Sequence, residues 1–343
     1  MIRIVVAEDS AVTRELLVAL LGGEPGLDIV GVARDGEEAV RLVERLGPDV
    51  VVMDVHMPLL DGLDATRLVM ERAPTRVLLV SASSSQLENE RGFEALRAGA
   101  VMLIRKPPGP DHPDFEAAAR ELVATIRLVA DVKVIRRWPR REPEAGRTRR
   151  TPRRGSIRLV AIGASTGGPP AVAEILSRLP ADFGCPVLVV QHIAPEFAEG
   201  FTKWLGKQTP LRVKPAVAGE RVQPGTVYVA VDPYQLGIDA GKIIRLAREP
   251  SENGFTPSAS YLFRSVAEVY GSAAIGVLLT GMGRDGADGL RQLREAGGVT
   301  IAQDEESSVV FGMPGEAIRL GAAEHVLPPE EIAALVRELV RAG

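Results

Sequence analysis

In the first 130 residues, polar and charged side chains stand at the ends of short apolar runs. They are Glu8 and Asp9 after the first run, Asp54 after the third, Ser81 after the fourth and Lys106 after the fifth. Parallel sheets collect their functional groups at the carboxyl ends of the strands, and three carboxylates there would repel each other without a cation such as Mg²⁺. Asp54 could attack a phosphoryl donor to form an acyl phosphate. Ser81 and Lys106 could then hold the phosphoryl oxygens.

A serine in a turn of small residues marks a second candidate site. The segment IRLVAIGASTGGPPAV is typical of a strand, a turn and the start of a helix, and Ser165 lies in the turn. In one interpretation the glycine-rich turn cradles a nucleotide phosphate, but GASTGG lacks the G-x-G-x-x-G spacing and the Walker lysine. In the other, Ser165 is a nucleophile beside helix N–H groups that would stabilise an oxyanion.

A nucleophilic serine needs a base, and this chain has four histidines. His56 and His112 lie in the first domain, and His325 lies close to the C-terminus. The fourth, His192, ends the apolar run PVLVVQ, so we expect it at the same sheet edge as Ser165. A histidine alone at a strand end is more often structural, but Asp285 in TGMGRDG could orient the imidazole. The sequence therefore predicts a Ser-His-Asp triad.

The elements that must position these groups alternate between buried strands and amphipathic helices. Runs rich in Val, Ile and Leu predict strands at residues 2–8, 27–33, 48–54, 75–81, 100–106, 157–163, 185–191, 225–231, 273–281 and 298–304. Apolar spacings of three and four predict helices at residues 15–21, 37–46, 63–72, 93–98, 169–179, 196–205, 259–270, 288–296 and 330–341. The alternation predicts an α/β protein with two doubly wound domains, the first five-stranded and the second mostly parallel.

Charge is unevenly distributed and defines the domain boundaries. Residues 1–130 carry 14 lysines and arginines against 21 aspartates and glutamates, whereas residues 131–155 carry 10 against 3. The second segment also has three prolines and very few apolar residues, which predicts a basic flexible linker. A weak patch for nucleic acid or an acidic partner is the alternative. We therefore predict domains at 1–130 and 156–343, joined by a linker at 131–155.

Composition excludes several classes of protein. The apolar fraction of 45% and charged fraction of 25% are ordinary for a globular chain. No run of about 18 apolar residues predicts a membrane span, and the start MIRIVVAEDS lacks the features of a signal peptide. Cys185 is the single cysteine, so an intrachain disulfide is excluded and a reducing cytoplasm is expected. Its apolar surroundings, FGCPVLVV, predict a buried and unreactive thiol.

The acidic site of the first domain is part of a wider set of motifs. They are the pair Glu8-Asp9, Asp54 followed by MPLLDG, Ser81-Ala82 and Lys106-Pro107. With these motifs, residues 1–130 resemble response-regulator receiver domains, which implies a flavodoxin-like fold and phosphorylation of Asp54. The resemblance also implies Mg²⁺ at Asp9, Asp54 and the carbonyl of His56, with Glu8 at the same site, and a cis Lys106–Pro107 bond. One departure is Leu103, which stands where many receivers carry an aromatic switch residue.

Five motifs follow one another in the second domain. They are GASTGGP (163–169), QHIAPEFAEGFT (191–202), PSASYLFRS (257–265), TGMGRDG (280–286) and VFGMPGEAI (310–318). With them, residues 156–343 resemble the catalytic domain of CheB-type chemotaxis methylesterases, and the order of receiver, linker and esterase matches over nearly the whole chain. The resemblance implies that Ser165 attacks a glutamate methyl ester, that His192 transfers the proton and that Asp285 orients His192. The family often deamidates glutamine with the same residues. Backbone N–H groups near Thr166 and Met282 are the candidates for the oxyanion hole.

The same resemblance implies the partners. Methyl-accepting chemotaxis receptors would be the substrates and a CheA-type histidine kinase the phosphodonor, with Mg²⁺ at the receiver and no cofactor in the esterase. Neither membrane insertion nor nucleic-acid binding is expected. The chain departs from the family at residues 253–256, at Ser260 and near 235–236, positions that concern substrate recognition and leave the triad intact. Two rival functions stay open: a phosphorylation-dependent binding scaffold with a degenerate second domain, and a DNA-binding regulator that uses the arginine-rich linker.

Overall fold

The computed structural model describes residues 1–82, 86–132 and 156–341. It divides the chain into two compact units, Met1–Arg140 and Arg141–Gly343. Apart from its first two residues, the predicted linker at 131–155 lies outside the described residues. Among the helices in the described ranges, none combines the length and the apolar character that crossing a bilayer requires.

The first unit is a single parallel sheet with the strand order β2-β1-β3-β4-β5. Its elements are β1 Ile2–Ala7, α1 Ala11–Gly22, β2 Leu27–Ala33, α2 Gly36–Leu46, β3 Val50–Asp54, α3 Gly62–Arg72, β4 Arg76–Ser81, α4 Gln86–Ala98, β5 Met102–Arg105 and α5 Phe115–Asp131. All of β3 is buried, and so are the last four residues of β1, because helices cover both faces of the sheet. Ala7 of β1 pairs with Met53 of β3. The residues that follow them, Glu8 and Asp54, therefore both lie at the carboxyl edge of the sheet.

Local sequence fixes where the helices begin and end. Asp35 caps α2, since its carboxylate accepts a hydrogen bond from Glu38 N at 2.8 Å, and Gly47 ends the helix with a φ of 53°. Asp61 caps α3 in the same way, accepting from Asp64 N at 3.0 Å. These caps lie at loops that border the acidic residues, and so they help to fix the strand ends that carry the predicted site.

The second unit contains a seven-stranded sheet in the order β14-β13-β12-β6-β7-β9-β8, in which every paired strand is parallel. Its elements are β6 Leu159–Ala164, α6 Gly168–Ser177, β7 Val187–Gln191, α7 Pro195–Gln208, β8 Arg212–Pro215, β9 Thr226–Val229, β10 Gln235–Ile238, β11 Ile244–Ala247, α8 Ala259–Tyr270, β12 Ala274–Leu278, α9 Ala287–Glu295, β13 Val299–Gln303, α10 Met313–Arg319, β14 His325–Leu327 and α11 Pro329–Arg341. The pair β10–β11 is a separate antiparallel hairpin that contacts α8. Strands β6, β7 and β12 are fully buried and form the centre of the unit.

The predicted fold class is confirmed, and each predicted strand and helix corresponds to an observed element. Five strands and α-helices of the second unit were not predicted: β8, β10, β11, α10 and β14. The expected cis bond between Lys106 and Pro107 is wrong, because that peptide is trans. The described cis peptides are Asp232–Pro233 and Thr256–Pro257.

Cys185 lies in the core beside the first strand of the second unit, as its apolar surroundings predict. Its side chain is buried, its Sγ lies 3.2 Å from the carbonyl oxygen of Ile157, and burial raises the pKa of the thiol to about 11. We expect the native thiol to react with Ellman's reagent at least two orders of magnitude more slowly than an ordinary cysteine with a pKa of about 8.5, because the thiolate is the reactive form. Absorbance kinetics with and without urea measure this. Equal rates for native and unfolded chains would contradict it.

Candidate active site

Ser165 and His192 follow neighbouring strands at one edge of the sheet. Ala164 pairs with Gln191 at the ends of β6 and β7, so the next residue on each strand lies beside the other. The backbone N–H of His192 donates to Ala164 O at 2.9 Å, which continues the ladder to that point. The structure therefore brings the predicted nucleophile and the predicted base to the same edge.

Gln191 links the backbone of both residues, a role that the sequence analysis did not assign. Its side-chain Nε2 donates to Ser165 O at 2.8 Å and to His192 O at 2.9 Å, and the side chain is buried. Ser165 N in turn donates to Thr280 O at 3.0 Å. A glutamine directly before a strand-end histidine, in an otherwise apolar run, was the available signal. The serine turn is thus held from two neighbouring strands.

Gly281 lies directly against the Ser165 turn on one side and Met313 on the other, and there is no space there for a side chain. A Cβ built on Gly281 would lie 2.6 Å from Ser165 Cβ and 2.3 Å from Met313 Sδ, closer than such atoms can pack. Only a residue without a side chain fits there unless the serine turn moves. Gly281 therefore helps to determine the position of Ser165.

A Gly281→Ala substitution is expected to displace Ser165 and lower kcat/KM for ester hydrolysis about 100-fold. The overpacking should also lower the free energy of unfolding by about 1–3 kcal/mol. Ester hydrolysis and urea denaturation measure the two effects. Gly184→Ala is the matched control, since its added Cβ would meet only Val340 Cγ1 at 3.7 Å. Equal activity of the two variants would show that Gly281 does not position Ser165.

His192 and Asp285 form a buried hydrogen-bonded pair. His192 Nε2 lies 2.9 Å from Asp285 Oδ2, and the two side chains are 7% and 0% exposed. His192 Nδ1 is also buried, and within the described part of the chain it has no hydrogen-bond partner. Because Asp285 engages Nε2, Nδ1 is the nitrogen left to accept a proton from Ser165.

Asp285 is held at the N-terminus of α8. Its carboxylate accepts from Ser258 Oγ at 2.7 Å, from Ala259 N at 2.7 Å and from Ser260 N at 3.2 Å. Helix N-termini favour anions because their first N–H groups have no partner within the helix. Burial by itself would raise the pKa of Asp285, but His192, Ser258 and Ala259 together hold that pKa well below its usual value. The carboxylate therefore stays ionised beside the imidazole.

Sequence reasoning missed these partners of Asp285, although a signal was present. Ser258 directly precedes a predicted helix, and a serine at that position is the usual N-cap; its Oγ accepts from Tyr261 N at 3.3 Å. Ser260, which the sequence analysis treated only as a departure from the family, accepts from Gly286 N at 2.7 Å. The altered segment therefore supports the acid.

The predicted oxyanion donors lie in the two loops around Ser165. Thr166 follows Ser165 directly, and Thr280 Oγ1 fixes the turn by donating to Thr166 O at 2.9 Å. Met282 lies two residues after Thr280, and its side chain is about half exposed. In the described ranges no hydrogen bond engages the backbone N–H of Thr166 or Met282. Both donors are available, and their catalytic role stays a prediction.

Comparisons with known proteins agree with this geometry. The CheB methylesterase family model matches residues 160–336, more than half of the chain, and the response regulator receiver domain model matches residues 4–113. The chain belongs to the CheB methylesterase family. A relative from Nitrosospira multiformis named protein-glutamate methylesterase/protein-glutamine glutaminase is 49% identical, with 99% of this chain and 97% of that protein covered.

Further CheB relatives extend this agreement. A Geobacter metallireducens protein of the same name, numbered 4, is 48% identical, with 99% of each chain covered. The crystal structure of the Thermotoga maritima CheB methylesterase catalytic domain superposes with a TM-score of 0.53 and 41% identity, over 54% of this chain and all of that domain. The second unit is therefore a CheB catalytic domain, and the first carries a receiver domain.

The receiver site brings together the residues that the sequence analysis placed there. Lys106 Nζ lies 2.8 Å from Glu8 Oε2 and 2.7 Å from Asp54 Oδ2. One oxygen each of Glu8, Asp9 and Asp54 lies within 4.8 Å of the others, and His56 N donates to Asp54 Oδ1 at 3.2 Å. Receiver domains carry a divalent-cation site for phosphorylation, and this cluster of oxygens fits one.

Burial and charge compete at the receiver site. Burial raises the pKa of Glu8 and of Asp54, and Lys106 only partly offsets this. Burial lowers the pKa of Lys106, but the attraction of Asp54 and Glu8 outweighs it and the pKa is raised. Ser81 is buried at the end of β4, and its carbonyl oxygen accepts from Lys106 N at 2.8 Å. The lysine thus stays charged between two buried carboxyl groups.

Replacing Lys106 by methionine is expected to lower the free energy of unfolding of the first unit by about 3 kcal/mol, because two buried carboxyl groups lose their counter-charge. Hydrogen exchange of peptides from β1 and β3, followed by mass spectrometry, reports on that unit alone. Arg67→Met is the control, since its ion pair with Asp64 is exposed and such pairs contribute little. Protection equal to that of the control would argue against a stabilising ion pair at Lys106.

Proposed function

We propose that this chain is a phosphorylation-activated protein-glutamate methylesterase that hydrolyses glutamate methyl esters on chemotaxis receptors. The proposal rests chiefly on the buried hydrogen bond between His192 Nε2 and Asp285 Oδ2 beside the Ser165 turn. A binding scaffold would not need a buried, ionised aspartate hydrogen-bonded to a histidine whose other ring nitrogen has no partner among the described residues. The names of the CheB relatives supply the substrate class.

In the proposed mechanism, Ser165 Oγ attacks the ester carbonyl carbon while its proton passes to His192 Nδ1. The oxyanion of the tetrahedral intermediate accepts hydrogen bonds from the N–H groups of Thr166 and Met282, and losing one such donor would cost about 2.7–4 kcal/mol. The intermediate expels methanol, which takes the proton from His192. Asp285 stabilises the imidazolium throughout and is not itself protonated.

Water completes the reaction with the same residues. His192 takes a proton from the water, which attacks the acyl-enzyme, and Ser165 leaves with that proton while free glutamate is released. A receptor glutamine would follow the same course with ammonia as the leaving group, so we propose glutaminase activity as well. No step requires a cofactor in the esterase.

We further propose that phosphorylation of Asp54 by a CheA-type histidine kinase raises the esterase rate. Mg²⁺ would be held by Asp9, Asp54 and the His56 carbonyl with Glu8 nearby, and would neutralise charge on the phosphoryl oxygens. Ser81 and Lys106 would contact those oxygens. We assign the receiver to residues 1–130, the linker to 131–155 and the esterase to 156–343, and we place the protein in the cytoplasm, which fits its single buried thiol.

Mass spectrometry of methylated receptors, incubated with the wild-type protein or with a Ser165→Ala control, tests this function. Each hydrolysed ester should remove one CH₂ from a glutamate, and each deamidation should replace NH₂ by OH on a glutamine. A small phosphodonor with Mg²⁺ should accelerate the wild type and not an Asp54→Asn variant. Unchanged receptor masses under all conditions would refute the esterase, and an accelerated Asp54→Asn variant would refute the switch.

A further inference from the structure

The ring of Phe255 stacks face to face on the imidazole of His192. The ring centroids lie 3.9 Å apart and the planes differ by 4°, so the two rings are in parallel stacking contact. Phe255 is half-buried. Phe255 takes no part in the proposed proton transfers. It lies in the segment 253–256, which departs from the family pattern.

A tight turn presents Phe255 to the histidine. Glu252 N donates to Phe255 O at 3.0 Å and Phe255 N donates to Glu252 O at 2.9 Å. Between them, Asn253 and Gly254 have φ values of 53° and 86°. Positive φ at both central residues is the type I′ arrangement, for which Asn-Gly is the preferred sequence. The geometry of the turn is therefore encoded locally.

Three side-chain contacts fix this turn to the catalytic domain. The Glu252 carboxylate pairs with both terminal guanidinium nitrogens of Arg264 on α8. Gln235 Nε2, at the start of β10, donates to Phe255 O at 3.3 Å. Asn253 Nδ2 donates to Asp285 Oδ1 at 3.4 Å, so the turn also touches the acid that holds His192.

The imidazole needs such support because its side chain has one hydrogen-bonded nitrogen. His192 Nε2 is bound to Asp285, whereas Nδ1 has no partner in the part of the chain that the structure describes. A ring hydrogen-bonded at one nitrogen can still tilt about that bond, and the tilt changes the direction in which Nδ1 points. A flat aromatic face parallel to the ring opposes that tilt, and aromatic contacts of this kind are directional.

We propose that the turn 252–255 is a positioning device for the catalytic histidine and that Phe255 is its positioning residue. The stack holds the plane of the His192 ring, and with it Nδ1, in one orientation at the sheet edge that carries Ser165 before substrate binds. This inference rests on the proposed esterase function and deepens it. It also explains how the chain keeps an ordered base although this segment departs from the family pattern.

Steady-state kinetics on methylated receptor and labelling of Ser165 by a fluorophosphonate test the proposal with three variants. Phe255→Leu keeps apolar bulk without a flat ring, and Phe255→Ala removes both. Each should lower kcat and the labelling rate about threefold to tenfold with KM nearly unchanged, a loss that matches the usual contribution of an aromatic pair. Phe255→Tyr keeps the flat ring and should stay within about twofold of the wild type.

A fourth variant tests the turn itself. A Cβ added at Gly254 would meet nothing within 4 Å, so Gly254→Ala acts only through the positive φ that alanine disfavours. It should lower kcat in the same direction as Phe255→Leu, and thermal unfolding scans of every variant show that the rates refer to folded protein.

Different results would overturn the positioning role of Phe255 and the esterase function. A Phe255→Leu variant with wild-type kcat and labelling rate would overturn the positioning role, and so would a change confined to KM, which would make Phe255 a substrate contact. A wild-type protein that neither hydrolyses receptor esters nor reacts with the probe would overturn the esterase function itself.

Discussion

A Ser165→Ala variant is expected to hydrolyse receptor methyl esters about 10⁶-fold more slowly in kcat, because the substitution removes the only atom that forms the acyl-enzyme. The loss should fall on the chemical step and not on binding, since alanine keeps the shape of the turn. Ser165 is held through its backbone, by Thr280 O and by the Gln191 side chain, and both contacts survive the substitution. The free energy of unfolding should therefore change by no more than about 0.5 kcal/mol.

Quenched-flow sampling with mass spectrometry measures the remaining rate, and urea denaturation measures stability. Ser177→Ala is the matched control, since it removes an exposed hydroxyl from the same domain, where Ser177 Oγ donates to Glu174 O at 3.0 Å. A Ser165→Ala enzyme that keeps more than about one hundredth of the wild-type kcat would show that another nucleophile carries the reaction.

The parts of the fold that could be predicted share one property, which is a buried or amphipathic pattern long enough to recognise. The central strands β6, β7 and β12 are apolar throughout because helices cover both faces. The polar residues that follow such strands must meet at one edge. For that reason the triad residues and the receiver cluster could be assigned to their edges from the sequence.

The missed elements lack such a pattern. Strands β8 and β14 lie at the two edges of the sheet, have four and three residues, and are only partly covered, so no continuous apolar run marks them. The hairpin β10–β11 has four residues in each strand. Helix α10 has seven residues and begins Met-Pro-Gly, which is too short to display a helical period.

The residues missed at the site are those whose role depends on tertiary contact. Gln191, Ser258 and Phe255 reach groups at least 26 residues away or on a different loop, and no local spacing reports such a pairing. From the sequence alone, Ser260 stood out only as a departure from the family pattern, and Ser258 only as part of the motif PSASYLFRS. Only the fold shows that the amides after Ser258 face Asp285, 26 residues further along the chain.

The network around Asp285 leads to the second large expected effect. An Asp285→Asn variant should lose about 10⁴-fold in kcat, because the amide cannot both fix the imidazole and stabilise the imidazolium. Its carboxylate accepts from His192, Ser258 and the first amides of α8, and asparagine offers a single acceptor oxygen in the same space. Buried donors without an acceptor should lower the free energy of unfolding by about 3 kcal/mol.

The stability loss of Asp285→Asn should depend on pH in a defined direction. The folded protein holds the pKa of Asp285 below its ordinary value, so its contribution to stability is fully present above about pH 4 and is lost as the pH falls below that value. The difference in unfolding free energy between wild type and variant should therefore be constant at neutral pH and shrink in acid. Asp182→Asn, an exposed carboxyl in the same domain, should change neither kcat nor stability. A difference that instead grows as the pH falls would mean that the carboxyl group is protonated in the native site, and Asp285 could not then support an imidazolium.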